Sequence, residues 1–304
     1  MSWLVKAPQT QDALSRRFRE RISEGPIWVL PGVYDGLSGL LARQTGFDGL
    51  YLSGAAYAAS RGLPDLGLMN STEVSERAAE IVNAARTPLL VDIDTGYGGV
   101  LNVARAGREM VKAGVAAVQI EDQHLPKKCG HLNGKQLVSA DQMVEKIRVL
   151  RETAPTLSIV ARTDARGVEG LESAWDRANR YAAAGADAIF VEALESVEEF
   201  RHTARQVTAP LLANMTEFGR TPYLTVDEFA SLGYRLLIFP VSALRVAAHA
   251  METFYRALQS EGTQRGWLER MQTREDLYAL LRYDDYEALD QTIARSVLPS
   301  TPEG

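Results

Sequence analysis

Residues 117–131 read Ala-Val-Gln-Ile-Glu-Asp-Gln-His-Leu-Pro-Lys-Lys-Cys-Gly-His. The first four residues have the composition of a buried strand. Glu121 and Asp122 end this strand, and a polar loop follows them. The stretch therefore predicts a buried strand that runs directly into a loop with a chemical role.

The same pattern, a short apolar run and then a helical stretch, recurs along the chain up to about residue 250. It predicts eight strands, at 27–30, 49–52, 89–93, 117–120, 158–161, 188–191, 211–213 and 236–239. Helices are predicted ahead of the first strand at 7–24 and between strands, among others at 74–85, 102–113, 140–152, 171–184 and 226–232. Several of these end at a glycine just before the next strand: Gly46, Gly114, Gly185 and Gly233.

Eight strands alternating with helices predict a parallel sheet with right-handed crossovers. Eight such units over roughly 250 residues match an α/β fold of the (β/α)₈ TIM-barrel type. The alternative is a doubly wound open sheet, which favours an early Gly-x-Gly-x-x-Gly motif that the glycines at 96–99 do not form. A barrel would also gather at one mouth the polar residues that follow the strands, namely Ser53, Asp92, Glu121, Arg162, Glu192 and Asn214.

We expect one barrel domain over residues 1–304, with an N-terminal helix within 1–25 and a helical extension over 242–304. The extension is predicted to contain helices at 242–258, 267–282 and 284–297. Its apolar residues, among them Leu277 and Leu281, fit two interpretations equally well. They pack on the chain's own barrel, or they contact a partner chain.

Composition limits the class of protein. With 304 residues and 46% hydrophobic residues, the chain can bury a full core. The net charge of −6 argues against a nucleic-acid-binding protein. The first residues lack the apolar core of a signal peptide, and no apolar run approaches the ~20 residues that span a bilayer. A single cysteine fits a reducing compartment, so we expect a cytoplasmic protein without membrane or nucleic-acid partners.

Cys129 is the only cysteine in the sequence, so it has no internal disulfide partner. Lys127, Lys128 and His131 surround it in the sequence, and such a positive setting is expected to lower the pKa of a thiol and make it reactive. The alternative is a basic surface turn that carries an incidental cysteine.

Acidic residues at the strand ends predict a metal site. Asp92 and Asp94 are two residues apart, so in extended backbone both carboxylates point the same way. Glu121 and Asp122 would approach them across the barrel, and converging carboxylates select Mg²⁺ or Mn²⁺. Only four histidines are present, which argues against zinc. The alternative makes Asp92 a strand cap and Asp94 an exposed turn residue.

Positive side chains stand against these acids: Lys127, Lys128, His131, Arg162 and Arg245. A metal at one end and arginine at the other would suit a small polycarboxylate or a phosphorylated acid. Arg162 could also simply pair with Asp164.

Lys-Lys-Cys-Gly-His at 127–131 resembles the signature of the isocitrate lyase/phosphoenolpyruvate mutase superfamily. Six further segments are similar to superfamily motifs: Tyr-Leu-Ser-Gly (51–54), Gly-Leu-Pro-Asp-Leu-Gly (62–67), Val-Asp-Ile-Asp-Thr-Gly (91–96), Ala-Arg-Thr-Asp-Ala (161–165), Asn-Met-Thr-Glu (214–217) and Met-Gln-Thr-Arg (271–274). The resemblance implies a (β/α)₈ barrel whose helix after the last strand exchanges between neighbours in a homotetramer. It also implies bound Mg²⁺ and cleavage of 2-methylisocitrate to pyruvate and succinate, a step of propionate catabolism.

The resemblance also implies site residues. Asp92 and Asp94 would bind the metal, Glu121 would help through water, Cys129 would be the catalytic thiol, and Lys127 and His131 would orient the site. The substrate-binding set would be Ser53, Gly54, Ala55, Gly130, Arg162, Glu192, Asn214, Thr216, Arg245 and Arg274. For the base that removes the hydroxyl proton we select Tyr51, a phenol expected to be acidified by metal and cations; its alternative role is that of an apolar strand-end residue.

Other activities of the same fold remain alternatives: isocitrate lyase, oxaloacetate hydrolase and phosphonomutase. A non-enzymatic binding protein is the alternative from another class. The loop at 121–134 contains Pro126, Gly130 and Gly134 as hinges and is expected to move as a lid over the site.

Overall fold

The computed structural model describes residues 9–294 of the 304-residue chain. The eight strands form one closed parallel barrel in the order β1-β2-β3-β4-β5-β6-β7-β8, in which β1 also pairs with β8. They are β1 (Trp28–Val33), β2 (Leu50–Leu52), β3 (Leu89–Asp92), β4 (Ala117–Glu121), β5 (Ser158–Thr163), β6 (Ala188–Val191), β7 (Leu211–Asn214) and β8 (Leu236–Phe239). The predicted (β/α)₈ barrel is confirmed.

The described residues also contain α-helices, of which the first nine lie in the same compact unit as the barrel. They are α1 (Gln11–Ser23), α2 (Gly36–Gln44), α3 (Gly54–Ser60), α4 (Ser71–Ala85), α5 (Val100–Lys112), α6 (Ala140–Thr153), α7 (Leu171–Ala183), α8 (Val197–Gln206), α9 (Val226–Ser231), α10 (Ser242–Glu261), α11 (Arg274–Leu281) and α12 (Tyr283–Ala294). Asn70 and Ser139 begin α4 and α6 by accepting a hydrogen bond from the third helical residue. At the other end, Gly114 and Gly185 have φ of 78° and 113°, the left-handed conformation that stops a helix.

The strands are buried on both faces, because side chains fill the barrel and helices cover it. Every residue of β3, β4, β5 and β6 is buried. Continuous apolar runs are therefore the sequence signal of these strands. Helix α1 packs below β1, where the rings of Phe18 and Trp28 lie 5.4 Å apart. Across residues 9–294, none of the helices combines the length and apolar character that a bilayer crossing requires.

The chain divides into two compact units, residues 9–249 with the barrel and the described residues 250–294. Helix α10 spans the boundary between them. In the second unit, the ring of Phe254 meets that of Trp267 edge to face at 5.6 Å. The single-domain description of the chain and the exchange of the helix after β8 stay predictions.

One helix boundary in the second unit was predicted wrongly. Residues 267–282 do not form one helix, because a short 3₁₀ helix ends at Arg270 and α11 begins only at Arg274. Thr273 causes the break, since its side chain accepts the backbone N–H of Asp276 and caps a new helix. Arg282, at φ 59°, then ends α11 before α12, and residues 295–297 of the last predicted helix lie outside the described residues.

Candidate active site

A pocket lies at the carboxyl ends of the barrel strands, where the sequence placed the polar residues. Its wall includes most of the predicted set: Tyr51, Ser53, Ala55, Asp92, Lys127, Lys128, Cys129, Gly130, His131, Arg162, Glu192, Asn214, Thr216 and Arg245. Gly54, Asp94 and Glu121 lie directly behind this wall, in contact with its members. Arg274 begins α11 in the second compact unit, and its part in the site stays a prediction.

Asp92 and Asp94 converge, although not through extended backbone as expected. Strand β3 ends at Asp92, and Asp94 has a left-handed φ of 49°, so the chain turns between the two residues. The turn is held by the N–H of Asp94, which donates to Asp92 Oδ1 at 3.0 Å. Gly54 faces both acids: a Cβ built there would lie 3.1 Å from Asp94 Oδ1 and 3.2 Å from Asp92 Oδ2. Only glycine leaves this space between the carboxylates open.

Lys127 is buried and its charge is neutralised by two acids. Its Nζ lies 2.8 Å from Asp94 Oδ1 and also bonds Asp65 Oδ1. We missed Asp65 as a site residue, although it stands in the segment 62–67 that resembled a superfamily motif. Its position 62 residues before Lys127 left no local signal of the pairing.

Arg162, near the end of β5, lines the pocket and is surrounded by acids. Its guanidinium lies 3.2 Å from Glu121 Oε2 and 3.4 Å from Glu192 Oε2. It also makes two bonds to Asp164, at 3.0 and 3.1 Å, so the predicted pairing with Asp164 is confirmed. Since three carboxylates surround a buried guanidinium, Arg162 stays charged and is fixed in orientation.

The metal-binding roles of Asp92, Asp94 and Glu121 stay predictions. Across residues 9–294, no three His, Cys, Asp or Glu side chains are arranged to hold a metal ion. Glu121 is turned towards Arg162, and Asp94 towards Lys127. Asp122 faces away from the pocket, where it accepts hydrogen bonds from Thr163 Oγ1 at 2.7 Å and Tyr181 OH at 2.8 Å.

The remaining acids still fit a divalent cation. Burial raises the pKa of Asp94 to about 6, with Lys127 opposing the shift and Asp92 adding to it. Burial also raises the pKa of Glu121 well above its usual value, and its Oε1 has no hydrogen-bond partner within residues 9–294. Buried carboxylates of this kind are stabilised in their charged form by a cation. Mg²⁺ suits such a set, because it is held by one or two carboxylates and keeps several waters.

The thiol of Cys129 differs from the expectation. Cys129 is exposed at the mouth of the pocket. Desolvation by the surrounding protein nevertheless raises its pKa above the ordinary 9.0; a backbone hydrogen bond from His131 opposes this shift and Glu192 adds to it. The expected lowering of the thiol pKa is therefore wrong, because Lys127 forms ion pairs with Asp65 and Asp94 instead of stabilising a thiolate. The thiol is held protonated, as a proton donor must be.

This pKa predicts how alkylation of Cys129 depends on pH. In the ligand-free protein, reaction with iodoacetamide should be slow near neutral pH and still increase above the ordinary thiol pKa, because only the thiolate reacts. The single cysteine makes mass spectrometry of the intact protein a direct measurement. A rate that levels off near neutral pH would show that the pKa is lowered after all.

Tyr51 is also different from what was expected. Its phenol is buried and donates to Gln119 Oε1 at 3.0 Å. Burial, and secondly the charge of Asp92, raise its pKa well above the usual 10.0. The chain by itself therefore does not acidify this phenol, and Tyr51 as the base stays a prediction.

The loop of residues 121–134, here called the thiol loop, lies across the pocket. The loop is tied to the residues that follow it, since the N–H of His124 donates to Gln136 O at 2.7 Å. Gly130 packs so closely that a Cβ there would lie 2.4 Å from Glu192 Cγ and 2.6 Å from Arg162 Nη2. Lys135, which the sequence did not single out, donates to Gly130 O and lies 3.3 Å from Asp164. Movement of this loop as a lid stays a prediction.

Comparison with known proteins places this arrangement in a family context. A family model described as phosphoenolpyruvate phosphomutase matches residues 18–259. The 2-methylisocitrate lyase of Halalkalibacterium halodurans is 58% identical over 298 residues, which cover 98% of this chain and 99% of that protein. The 2-methylisocitrate lyase of Bacillus subtilis is 56% identical over 299 residues, with 98% and 99% covered.

Solved structures agree with the sequence comparison. The crystal structure of 2,3-dimethylmalate lyase, described as a PEP mutase/isocitrate lyase superfamily member, matches with a TM-score of 0.88 at 35% identity. The match covers 97% of this chain and 99% of that one. The similarity in sequence and in fold therefore extends over nearly the whole length of this chain and of these relatives.

Proposed function

This chain belongs to the phosphoenolpyruvate phosphomutase family, and on that basis we propose that it is a lyase that cleaves 2-methylisocitrate to pyruvate and succinate. The resemblance to the isocitrate lyase/phosphoenolpyruvate mutase superfamily is confirmed by the same matches. The observation that carries the proposal is the meeting of Cys129 with Asp92, Arg162 and Glu192 in one pocket. Such a cleavage needs a proton donor, a carboxylate that can bind a metal ion and a cation held in a fixed position.

Members of this family use a divalent metal ion. We propose Mg²⁺ for this chain, with Mn²⁺ as the chemically similar substitute, held by Asp92 and Asp94 with Glu121 acting through water. When bound, the ion supplies positive charge to the hydroxyl and the neighbouring carboxylate of the substrate, which eases loss of the hydroxyl proton.

Residues of this chain would hold the carboxylates of the substrate. Arg162 is fixed by its three acids and can orient one carboxylate without rearranging. Ser53, Gly54 and Ala55 begin α3, so their backbone N–H groups belong to a helix N-terminus, which favours an anion. We propose that this end binds the part that becomes pyruvate. The other proposed substrate residues, Gly130, Glu192, Asn214, Thr216 and Arg245, line the same wall.

The proton steps are assigned as follows. A base removes the hydroxyl proton, the carbon–carbon bond breaks, and its electron pair remains on the carbon that becomes a methylene of succinate. Cys129 then gives its S–H proton to that carbon; the raised pKa of the thiol keeps this proton in place until the carbon–carbon bond breaks. Tyr51 is proposed as the base on its position in the pocket wall alone. Burial keeps its phenol protonated, so the pKa of Tyr51 gives no support for this role. Lys127 and His131 would orient the thiol loop and the substrate.

We also propose a cytoplasmic homotetramer in which the helix after β8 exchanges between subunits. Helix α10 supports this, because none of its twenty residues is buried in the chain as described. Val246 and Tyr255 on this helix are 72% and 62% exposed, which is unusual for apolar side chains. A monomeric mass in light scattering at micromolar concentration would contradict the assembly.

Product analysis tests the reaction. With Mg²⁺ present, 2-methylisocitrate should yield equal amounts of pyruvate and succinate, detected by chromatography. Isocitrate, 2,3-dimethylmalate and oxaloacetate are assayed beside it, since a single methyl group is worth only ~1–3 kcal/mol in a pocket. A larger kcat/KM for any of these three would assign the chain to that activity instead.

A further inference from the structure

Arg220, in the loop between β7 and α9, fastens the thiol loop from outside the pocket. Its backbone N–H donates to His131 Nδ1 at 3.1 Å, and its Nε donates to His131 O at 3.0 Å. Its Nη2 donates to Asn133 Oδ1. These contacts hold two residues of the thiol loop, which stand two and four positions after Cys129.

The other side of Arg220 is anchored to a third loop. Its Nη1 lies 3.1 Å from Glu195 Oε1, just after β6. Glu195 is itself held by Arg166 at 2.8 Å, and Arg166 also pairs with Glu199. The side chain of Arg220 thus connects the thiol loop to the loop after β6, while Arg220 itself belongs to the loop after β7. None of these atoms lies in the pocket wall, so the arrangement acts through His131.

The contact with the backbone N–H also sets the proton position on His131. A backbone N–H can only donate, so Nδ1 must present a lone pair, and the proton of the neutral ring is on Nε2. Nε2 lies 3.5 Å from Glu192 Oε1 and has no hydrogen-bond partner within residues 9–294. The side chain of His131 is 10% exposed and lines the pocket, so this N–H is a donor kept for a ligand.

Gly219 allows the close approach on which this depends. A Cβ at position 219 would lie 2.8 Å from His131 Nδ1 and 2.9 Å from its Cε1. The φ of Gly219 is not in the left-handed region, so alanine fits the backbone and conflicts only with the ring. Gly219→Ala is therefore a selective means of displacing His131.

We propose that Arg220, together with Gly219, is the positioning element that fastens the thiol loop over the pocket and fixes His131 as an Nε2–H donor towards a carboxylate of the substrate. The inference rests on the proposed function for the identity of that carboxylate. The fastening and the tautomer belong to the ligand-free protein and can be measured without turnover.

The fastening is tested by the alkylation rate of Cys129 in the ligand-free protein. Arg220→Ala should increase the rate by about tenfold, because losing one or two charge-assisted hydrogen bonds releases the loop and relieves the desolvation that keeps the thiol protonated. The matched control is Arg201→Ala, since Arg201 is an exposed arginine that pairs only locally with Glu198 on α8. Asn133→Ala removes a single contact of Arg220 and should give a smaller increase, so the test survives if Arg220→Ala folds poorly. Rates equal to the control in both variants overturn the fastening.

The tautomer is tested by the nitrogen chemical shifts of His131 in protein labelled with ¹⁵N-histidine, with the signal assigned by His131→Gln. The expected spectrum has a protonated Nε2 and an unprotonated Nδ1, and Gly219→Ala should abolish that pattern while leaving the signals of the other three histidines unchanged. A wild-type spectrum with a protonated Nδ1 overturns the assignment. In steady-state assays, Arg220→Ala and Gly219→Ala should each raise KM for the substrate. Failure of the cleavage assay alone would count against the proposed function and leave these two measurements valid.

Discussion

Replacement of Cys129 by serine is expected to lower kcat by about a thousandfold, within the range for loss of a general acid. The serine hydroxyl is nearly the same size, but its pKa is far above that of a thiol, so it is a poor proton donor to a carbanion. KM should change little, because the residues proposed to hold the substrate are Arg162 and its neighbours in the pocket wall. Steady-state assays of pyruvate formation provide both constants.

Two controls separate a proton-donor role from a loop effect. Leu132→Ala changes an exposed side chain of the same loop, 57% accessible, and should retain wild-type kcat. Binding of succinate to Cys129→Ser, measured by calorimetry in the presence of pyruvate and Mg²⁺, should match the wild type. A serine variant with nearly unchanged kcat would return Cys129 to an incidental surface residue.

The barrel could be predicted because its physics is local. Parallel strands covered on both faces appear as continuous apolar runs, as in residues 188–191, which match β6 residue for residue. Helix-stop glycines such as Gly185 mark where the next strand begins. Once the barrel is assumed, residues at strand ends must share one mouth, so Asp92, Arg162 and Glu192 could be grouped without any distance information.

The direction of individual side chains could not be predicted in the same way. Asp122 follows Glu121 by one residue, yet only Glu121 faces Arg162 while Asp122 bonds Tyr181 on α7. Asp94 is positioned by a left-handed backbone conformation, which its residue type does not predict. Such directions depend on backbone turns after the strand, where the alternation rule for extended chain no longer applies.

The pKa of the thiol could not be predicted from the sequence for a related reason. The pKa of Cys129 was judged from its sequence neighbours, whereas Lys127 is neutralised by Asp65 from a distant loop. Arg220 gave no signal either, because a single arginine in a polar loop resembles any exposed surface residue. Pairings between loops require the folded chain, and they decide both the proton affinity of the thiol and the position of His131.

The second large effect is expected for Asp92, the acid proposed to bind the metal. Asp92→Asn should lower kcat by about a thousandfold or more, the several kcal/mol that a bound metal contributes to stabilising developing charge. The asparagine retains a side-chain oxygen that can accept the N–H of Asp94, so the turn after β3 and the fold should persist. The substitution removes the negative charge and with it the attraction for a divalent cation; it also gives up the longer bond of 3.3 Å from the N–H of Gly54 to Asp92 Oδ2.

Metal binding can be measured apart from catalysis. Mn²⁺ titration followed by electron paramagnetic resonance should show one site in the wild type and a much weaker one in Asp92→Asn. Asp12→Asn is the matched control, because Asp12 is an exposed acid on α1 that pairs with Arg16 one turn along the same helix. Unchanged Mn²⁺ affinity in Asp92→Asn would move the metal away from Asp92, and Glu121, whose Oε1 has no hydrogen-bond partner in the described part of the chain, would then be the acid to replace next. Loss of affinity without loss of turnover would instead show that cleavage proceeds through the cations alone, with Arg162 as the group that stabilises the developing charge.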